Sequence, residues 1–351
     1  VGMGLMQMVA KRIAELRETK KDGKIVIDKS LIPISLSITI ATGILLSLYA
    51  RNLLVGGVYY VTVVTVVVFV LLNVLQGIFQ GHGRMDIIAL IRVLINVFKI
   101  LGLIFFVIVL NMDVLGAVVS LFFSFILTSL VSWVYISPKY VWARFSQTKT
   151  LLTSFTSIFC ARTLISVVLF LPPVLIKVFG GTYEEVARFT AAFTVSKYAV
   201  YLFNGFLIAL FPNLVSVVQS GDKYTEQKYI KVGLLLTAFF GFCMAIFSYF
   251  FGVDLINLLF GYEFALPAID TFAIFSSIGI FMVSMLINDI HIAKSEYKRL
   301  LAAWSISLVG LMVTVSMIQT PLQKVEFGIL VYSILSVILL LFSCLKDLAR
   351  Y

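Results

Sequence analysis

Long apolar runs recur along almost the whole chain, and each is long enough to cross a lipid bilayer. A helix needs about 20 mostly apolar residues to span the hydrocarbon core. Hydrophobic residues make up 61% of the sequence and charged residues 13%, whereas soluble domains carry about 25% charged residues. Lipid must therefore solvate part of the apolar surface. Because backbone groups in lipid must form their hydrogen bonds internally, these runs are predicted to be helices.

The runs predict an all-α polytopic membrane protein with a partial first helix and about ten complete spans. The partial helix is predicted to end near Ala10. The complete spans are predicted at 32–50, 58–80, 87–110, 114–136, 151–178, 186–211, 229–251, 265–290, 299–318 and 326–345. The longest polar stretch covers residues 11–30, which leaves no room for a soluble catalytic domain.

The positions of Lys and Arg predict which side of the membrane each loop faces. The net charge is +10, and most basic residues fall in every second loop, beginning with residues 11–30. The opposite loops hold only Arg51, Lys177, Arg188 and Lys324. By the positive-inside rule, the 11–30 loop and the C-terminus are predicted to be cytoplasmic, in a multi-pass protein of the cell membrane. This topology accounts for the basic charge, so we expect no nucleic-acid partner.

An internal repeat divides the spans into two halves. A long helix, a short loop, a second helix and a turn at 80–85 occur in the same order late in the chain, where the loop is 260–263 and the turn 293–297. The helices of 32–136 are therefore expected to superpose on those of 229–345. Periodic halves are typical of transporters.

The repeat predicts two bundles and a connecting loop. The N-terminal bundle covers 1–137 with four full helices and a fragment, a cytoplasmic loop covers 138–150, and the C-terminal bundle covers 151–351 with six helices. Comparing the halves leads us to expect that the N-terminal helix and part of the second are missing upstream of Val1, and that the full protein has twelve helices.

Four short motifs resemble those of a known family. They are Gln80-Gly81-His82-Gly83-Arg84, Phe179-Gly180-Gly181, Ala209-Leu210-Phe211-Pro212-Asn213-Leu214 and Leu259-Phe260-Gly261-Tyr262-Glu263-Phe264. In order and spacing they resemble the polysaccharide biosynthesis, or O-antigen-type, flippase family. That family belongs to the multidrug/oligosaccharidyl-lipid/polysaccharide (MOP, MATE-like) exporter superfamily. The resemblance extends over essentially the whole chain.

The resemblance implies two pseudo-symmetric six-helix bundles around a central cavity. It implies that a lipid-linked oligosaccharide of the polyprenyl-pyrophosphate type moves from the cytoplasmic to the outer leaflet by alternating access, for cell-surface polysaccharide assembly. The partners implied are that cargo, membrane lipids, and a glycan polymerase or glycosyltransferases. The alternative is an ion-coupled exporter of drugs or other small molecules from the same superfamily.

Three basic residues lie deep within predicted spans: Lys99, Arg162 and Lys197. A charge at that depth costs about 2.5–3.5 kcal/mol on insertion scales, so each needs a physical reason. No acidic residue is evident at the same depth. One interpretation is a cationic cavity that binds the pyrophosphate of the cargo, with Arg as a planar fork and Lys as a point charge. The other is that these side chains snorkel or bond backbone carbonyls. Basic rather than acidic residues favour the anionic cargo over the drug exporter.

Several polar residues are candidates for the same cavity. Asp289 can pair with a cavity cation or bind a coupling proton, or it can be a solvated helix end. Asn73, Gln76 and Asn204 can hydrogen-bond sugars, although holding helices together is the default role of such residues.

Two further motifs concern the shape of the helices. Pro172 and Pro173 interrupt a span and predict either a hinge or a simple kink. Gly77 and Gly81 are spaced for helix packing. His82, in the turn that follows, is expected to be exposed.

The sequence gives no indication of catalysis. It has no Walker A loop, and its outer loops are short, so an enzyme is not expected. Cys160, Cys243 and Cys344 lie in apolar runs and are interpreted as small buried hydrophobes. With two histidines in addition, no metal site and no cofactor are expected.

The predicted topology can be tested by cysteine labelling. In a background with the three native cysteines replaced by Ser, Glu263→Cys is expected to react with a membrane-impermeant maleimide in intact cells. Asp222→Cys is expected to react only after permeabilisation, because its loop lies on the positive, cytoplasmic side. The reverse accessibility of the two positions would contradict the topology.

Overall fold

The computed structural model describes residues 2–19, 25–28, 57–136, 140–143 and 148–348, together with single positions 37, 39, 40 and 44. Its internal contacts divide the chain into two units, an N-terminal unit of Val1–Phe159 and a C-terminal unit of Cys160–Tyr351. The predicted span 32–50 lies outside the described residues apart from those single positions. The proposed superposition of 32–136 on 229–345 therefore stays a prediction.

Helices account for nearly all of the described chain. In the N-terminal unit they are α1 (Gly2–Thr19), α2 (Gly57–Gly81), α3 (Met85–Gly102), a π-helix (Leu103–Val109) and α4 (Asp113–Ile136). Helix α5 (Thr148–Phe170) contains the boundary between the units. The C-terminal unit continues with α6 (Pro172–Val178), α7 (Tyr183–Ser220), α8 (Lys223–Phe260), a 3₁₀ turn (Tyr262–Phe264), α9 (Ala268–Ala293), α10 (Tyr297–Met317) and α11 (Pro321–Leu348). Two short strands, β1 (Ile25–Asp28) and β2 (Tyr140–Ala143), pair in parallel.

The described helices confirm an all-α multi-pass membrane protein. Eight are long and apolar enough to cross a membrane, and the bent pair Thr156–Phe170 and Pro172–Val178 can supply a ninth span. These helices cover every span predicted from residue 58 onward.

The sequence predicts that the first helix ends near Ala10. This prediction is wrong, because α1 continues to Thr19. Lys11 and Arg12 are therefore helical residues rather than loop residues, and both pair with Glu15 one turn later. Such pairs at a spacing of three and four residues favour a helix even where the apolar run has stopped. Lys11 is buried.

Helices α7 and α8 are both longer than predicted because capping residues set their ends. The side chain of Thr182 accepts a hydrogen bond from the backbone N–H of Glu185, whose carboxylate in turn accepts one from the N–H of Thr182. Gly221, with φ of 73°, ends α7, and Asp222 caps α8 by accepting from Thr225. A turn at residues 220–223 thus separates the two helices.

Small residues allow close helix contacts within the N-terminal unit. A Cβ atom at Gly81 would lie 2.6 Å from the Cβ atom of Ile13, and one at Gly77 would lie 2.6 Å from the Met6 carbonyl oxygen. The packing role predicted for these two glycines is confirmed. His82 is half-buried rather than exposed, with its Nδ1 2.8 Å from the Ile78 carbonyl oxygen.

The buried face of α4 carries a small or hydroxylated residue at every fourth position. The stripe consists of Gly116, Ser120, Ser124, Thr128 and Ser132. Each of the four hydroxyls donates to a backbone carbonyl of its own helix. Without a hydrophobic driving force between helices in lipid, such stripes favour packing by allowing backbones to approach.

Helix α9 is deeply buried in the C-terminal unit. Apart from Val283, every residue from Phe281 to Ala293 is buried. It crosses α8 at two glycines, where a Cβ atom at Gly241 would lie 2.8 Å from the Gly279 carbonyl oxygen. This contact holds α9 against α8 and fixes the rotation of the polar residues near the end of α9.

The cysteines are all free. Cys344 is buried and Cys160 half-buried, whereas Cys243 is exposed on α8. The expectation that all three are buried is therefore wrong for Cys243, which lies on a helix face that no other described helix covers.

We predict opposite effects for two glycine substitutions. Gly241→Ala is expected to lower the free energy of unfolding by about 1–3 kcal/mol, because the added methyl overpacks the crossing. Gly205→Ala on α7, where a Cβ atom would meet nothing within 4 Å, is expected to raise it by up to about 1 kcal/mol through helix propensity. Unfolding in detergent micelles measures both, and a stabilised Gly241→Ala variant would contradict the assigned crossing.

Candidate functional site

The structure brings Arg162 and Asp289 together. Nη2 of Arg162 in α5 donates to Oδ1 of Asp289 in α9 over 2.8 Å. Both side chains are buried, with relative exposures of 8% and 4%. The expectation that no acidic residue lies at the depth of Arg162 is therefore wrong, and Asp289 is not a solvated helix end.

A chain of hydrogen bonds extends this ion pair across three helices. Nδ2 of Asn288 donates to Oδ1 of Asp289 over 3.0 Å, and the indole N–H of Trp304 in α10 donates to Oδ1 of Asn288 over 3.2 Å. Asn288 and Trp304 are fully buried. Buried polar groups are stable only when they are partnered, so this chain fixes the orientation of the Asp289 carboxylate.

Helix α11 packs against the hydrogen-bonded chain of Arg162, Asp289, Asn288 and Trp304. The ring of Tyr332 stacks on Trp304 with centroids 5.6 Å apart, and its hydroxyl donates to the Leu164 carbonyl oxygen of α5 over 3.1 Å. Sequence reasoning missed Trp304 and Tyr332. The available signal was that each carries a polar atom within a long apolar run, where a partner is needed.

Lys197 has a different environment from Arg162. Its Nζ lies 4.9 Å from the ring centroid of Phe193 and 5.7 Å from that of Phe170. The side chain is half-buried, and it forms no ion pair with any acidic side chain in the part of the chain that the structure describes. Aromatic faces attract a cation but do not neutralise it. Lys197 is therefore a cation with its charge available.

A polar face runs along α7 from Lys197. Tyr201 and Asn204 follow at four and seven residues, which places the three on one side of the helix. Tyr201 is 47% exposed and Asn204 is half-buried. Sequence reasoning identified Lys197 and Asn204 but missed Tyr201, although the helical spacing would have selected it.

Lys99 lies in the N-terminal unit, in the last turn of α3. It is half-buried, and the π-helix Leu103–Val109 begins four residues later. Short π-helical segments often mark functional positions in helices. The structure gives Lys99 no acidic partner among the described residues.

Asn73 and Gln76 both lie on the buried face of α2 in the N-terminal unit, each 4% exposed. The Nδ2 atom of Asn73 donates to the Phe69 carbonyl oxygen of its own helix over 2.7 Å. This bond satisfies one donor of the side chain without another helix.

Pro172 and Pro173 bend a span sharply. The helix axes of Thr156–Phe170 and Pro172–Val178 differ in direction by 63°. Because proline has no backbone N–H, two successive prolines remove two helical hydrogen bonds at this point. The structure thus contains a kink here, and the predicted hinge motion remains a prediction.

A second polar cluster joins α8 to the turn between α9 and α10. The buried carboxylate of Glu226 lies 2.7 Å from Nζ of Lys294 and 3.1 Å from Nζ of Lys223. Burial would lower the pKa of Lys294, but the hydrogen bond and charge of Glu226 outweigh it and raise that pKa above its usual value. This cluster joins two turns at the same end of the unit, the end called here the Gly221 end.

The described residues contain no group of three His, Cys, Asp or Glu side chains able to hold a metal ion. The chemistry available within the C-terminal unit is instead that of cations. Arg162 is held by a carboxylate, and Lys197 is available on a polar helix face.

Comparison with known proteins identifies the family to which the chain belongs. A family model described as polysaccharide biosynthesis protein matches residues 1–218. No curated protein matches the chain significantly. Solved structures match nearly its whole length at low sequence identity.

One of these structures is a point mutant of the Vibrio cholerae MATE transporter VcmN, with 13% identity, TM-score 0.81, and coverage of 100% of this chain and 85% of that one. Another is an outward-facing multidrug resistance MATE family transporter of the MOP superfamily, with 17% identity, TM-score 0.76, and coverage of 99% and 83%. A third is a MOP superfamily transporter from Pyrococcus furiosus, described as having a binding pocket of reverse polarity, with 16% identity, TM-score 0.77, and coverage of 98% and 83%. At these identities the likeness establishes the MATE fold.

A double-mutant cycle tests the buried ion pair. Arg162→Met and Asp289→Asn are each expected to lower the free energy of unfolding by about 3–5 kcal/mol, because each leaves the opposite charge buried and uncompensated. The double variant is expected to lose less than the sum of the two. The matched control is the exposed pair Arg84–Asp86, where Arg84→Met should have little effect. Additive losses at Arg162 and Asp289 would show that the pair is not coupled.

Proposed function

Because the chain belongs to the polysaccharide biosynthesis protein family, we propose that it is a transporter of an anionic lipid-linked oligosaccharide. The cargo is of the polyprenyl-pyrophosphate type and moves from the cytoplasmic to the outer leaflet of the cell membrane by alternating access. The MATE fold supports a transport mechanism of this kind, and the family supports a glycan-related cargo.

The polar face of Lys197, Tyr201 and Asn204 carries the proposal. A lysine without an acidic partner is costly against hydrocarbon, so we infer that this face of α7 meets water or cargo during transport. The ammonium group of Lys197 would bind a phosphate oxygen by a charge-assisted hydrogen bond. The phenol of Tyr201 and the amide of Asn204 would bond sugar hydroxyls one and two turns away.

Arg162 would act as the second phosphate ligand. Its guanidinium is held by Asp289, which keeps the fork in place when no cargo is bound. A pyrophosphate would compete with the carboxylate for the same donors, because both present a pair of anionic oxygens that can accept from the Arg fork. Exchange of one anion for the other would couple cargo binding to the contacts between α5 and α9.

The remaining candidates take supporting roles in this proposal. Lys99, beside the π-helix, would supply positive charge within the N-terminal unit, and Asn73 and Gln76 would mainly hold α2 in its unit. The bend at Pro172 and Pro173 would serve as the hinge, because backbone groups that have lost their helical partners can rearrange at lower cost.

A drug exporter of the same fold is the rival function, and electrostatics separates the two. Exported drugs are commonly lipophilic cations, which an available lysine repels, whereas a pyrophosphate is attracted. The charge on Lys197 therefore favours an anionic cargo.

Binding of a polyprenyl pyrophosphate to the purified full chain in lipid nanodiscs tests the proposal. Lys197→Ala is expected to weaken binding by roughly 10- to 100-fold, since a hydrogen bond to a charged group contributes about 1.5–3 kcal/mol. Arg162→Lys is expected to retain part of the affinity, because the charge survives and the fork geometry does not.

The matched control is Lys298→Ala, which removes the same charge from an exposed position near the Gly221 end. It should leave the affinity unchanged. Undiminished binding by Lys197→Ala would overturn the proposed site. Tighter binding of a lipophilic cation by the same variant, together with no binding of the pyrophosphate by the wild-type protein, would favour the drug exporter.

A further inference from the structure

Glu326 is a buried acid at the end of the C-terminal unit opposite to the Gly221 end. It is the sixth residue of α11, its relative exposure is 4%, and its Oε1 atom is buried without a hydrogen-bond partner. A buried carboxylate that is ionised and unpaired is among the most costly groups in a protein. Something must therefore neutralise this side chain.

Three basic residues of the described chain lie at this end, and each contacts groups other than Glu326. Nζ of Lys177 lies 3.6 Å from the ring centroid of Tyr183 and 3.4 Å from the Gly181 carbonyl oxygen. Nζ of Lys324 lies 5.3 Å from the ring centroid of Phe179. Arg188 pairs with Glu184, at 2.6 Å, and donates to the Glu263 carbonyl oxygen. None of the three forms an ion pair with Glu326 within the described chain.

The helices packed against α11 bring more negative than positive charge toward Glu326. Helix α9 contributes Asp270 from its first turn. Helix α10 has no charged residue from Leu300 to Met317. The start of α7 contributes Tyr183, Glu184, Glu185 and Arg188, and α6 contributes Lys177. Two carboxylates on neighbouring helices cannot both stay ionised at low cost when one of them is buried.

A metal ion does not fit these residues. Hard cations bind several oxygen ligands, about six to eight for Ca²⁺, and the described residues provide no group of three candidate ligands. A proton needs a single oxygen atom. We propose that Glu326 is a proton-binding site of the C-terminal unit, and that its carboxyl carries a proton in the conformation described.

Buried hydroxyls continue from Glu326 toward the Arg162–Asp289 pair. Ser333 lies two turns along the same face of α11, and its buried Oγ has no hydrogen-bond partner. Ser336 follows, with its Oγ 2.7 Å from Oγ of Ser284 in α9, one turn before Asn288. The contact between α9 and α11 thus lies between Glu326 and the Arg162–Asp289 pair. The proposal is independent of the cargo.

Labelling with dicyclohexylcarbodiimide tests the protonation directly, because this apolar reagent modifies protonated carboxyl groups in apolar surroundings. The purified full chain in lipid nanodiscs is treated over a range of pH, and the modified residues are identified by peptide mass spectrometry. Glu326 is expected to be labelled at neutral pH, with labelling falling by about tenfold per pH unit once the carboxyl ionises. Glu263, which is exposed at the same end, should stay unlabelled at neutral pH.

Two variants sharpen the test. Asp270→Asn is expected to move the loss of Glu326 labelling to lower pH, since a neighbouring negative charge favours the protonated form. Glu263→Gln, the matched control, should leave the pH profile unchanged. An unlabelled Glu326 in the folded wild-type protein, or labelling that does not depend on pH, would overturn the proposal whatever the result of the pyrophosphate binding assay.

Discussion

The cost of leaving a polar group without a partner in hydrocarbon organises this molecule. Hydroxyls along α4 bond to the carbonyls of their own helix, so they can face neighbouring helices without needing a partner there. The guanidinium of Arg162 finds a carboxylate, and the indole N–H of Trp304 finds an amide. Each arrangement keeps a donor from being buried unsatisfied, which is the condition for a helix to pack in lipid.

Close packing at small residues makes these partnerships possible. Lipid is as apolar as the helix surfaces, so helices associate through shape and hydrogen bonds rather than by expelling water. The crossing of Gly241 and Gly279 brings α8 and α9 into backbone contact. With α9 held in one rotation, Asn288 and Asp289 point at Trp304 and Arg162, which lie on two other helices. The polar network thus depends on two residues that have no side chain.

Function is inferred from two ionisable groups that lack a partner of opposite charge. Lys197 has aromatic neighbours but no carboxylate, and Glu326 has a buried oxygen without a donor. A membrane span retains such groups at a cost in stability, which is the usual signature of a binding residue. One group is suited to an anion and the other to a proton, so cargo and driving ion would act at different places in the same unit.

Hydropathy and charge in the sequence determined the membrane class and the helices from residue 58 onward, because both depend on local composition. The same local signals missed the extension of α1 to Thr19, which side-chain ion pairs stabilise, and the exposure of Cys243. Asp289 was recognised as able to pair with a cavity cation, but Arg162 could not be singled out as that cation, since the two residues are 127 positions apart. Their pairing, the roles of Trp304 and Tyr332, and the isolation of Glu326 were decided by the tertiary structure alone. The physical reason is that hydropathy reports how deeply a residue enters the membrane, whereas its partner depends on the rotation and neighbours of each helix.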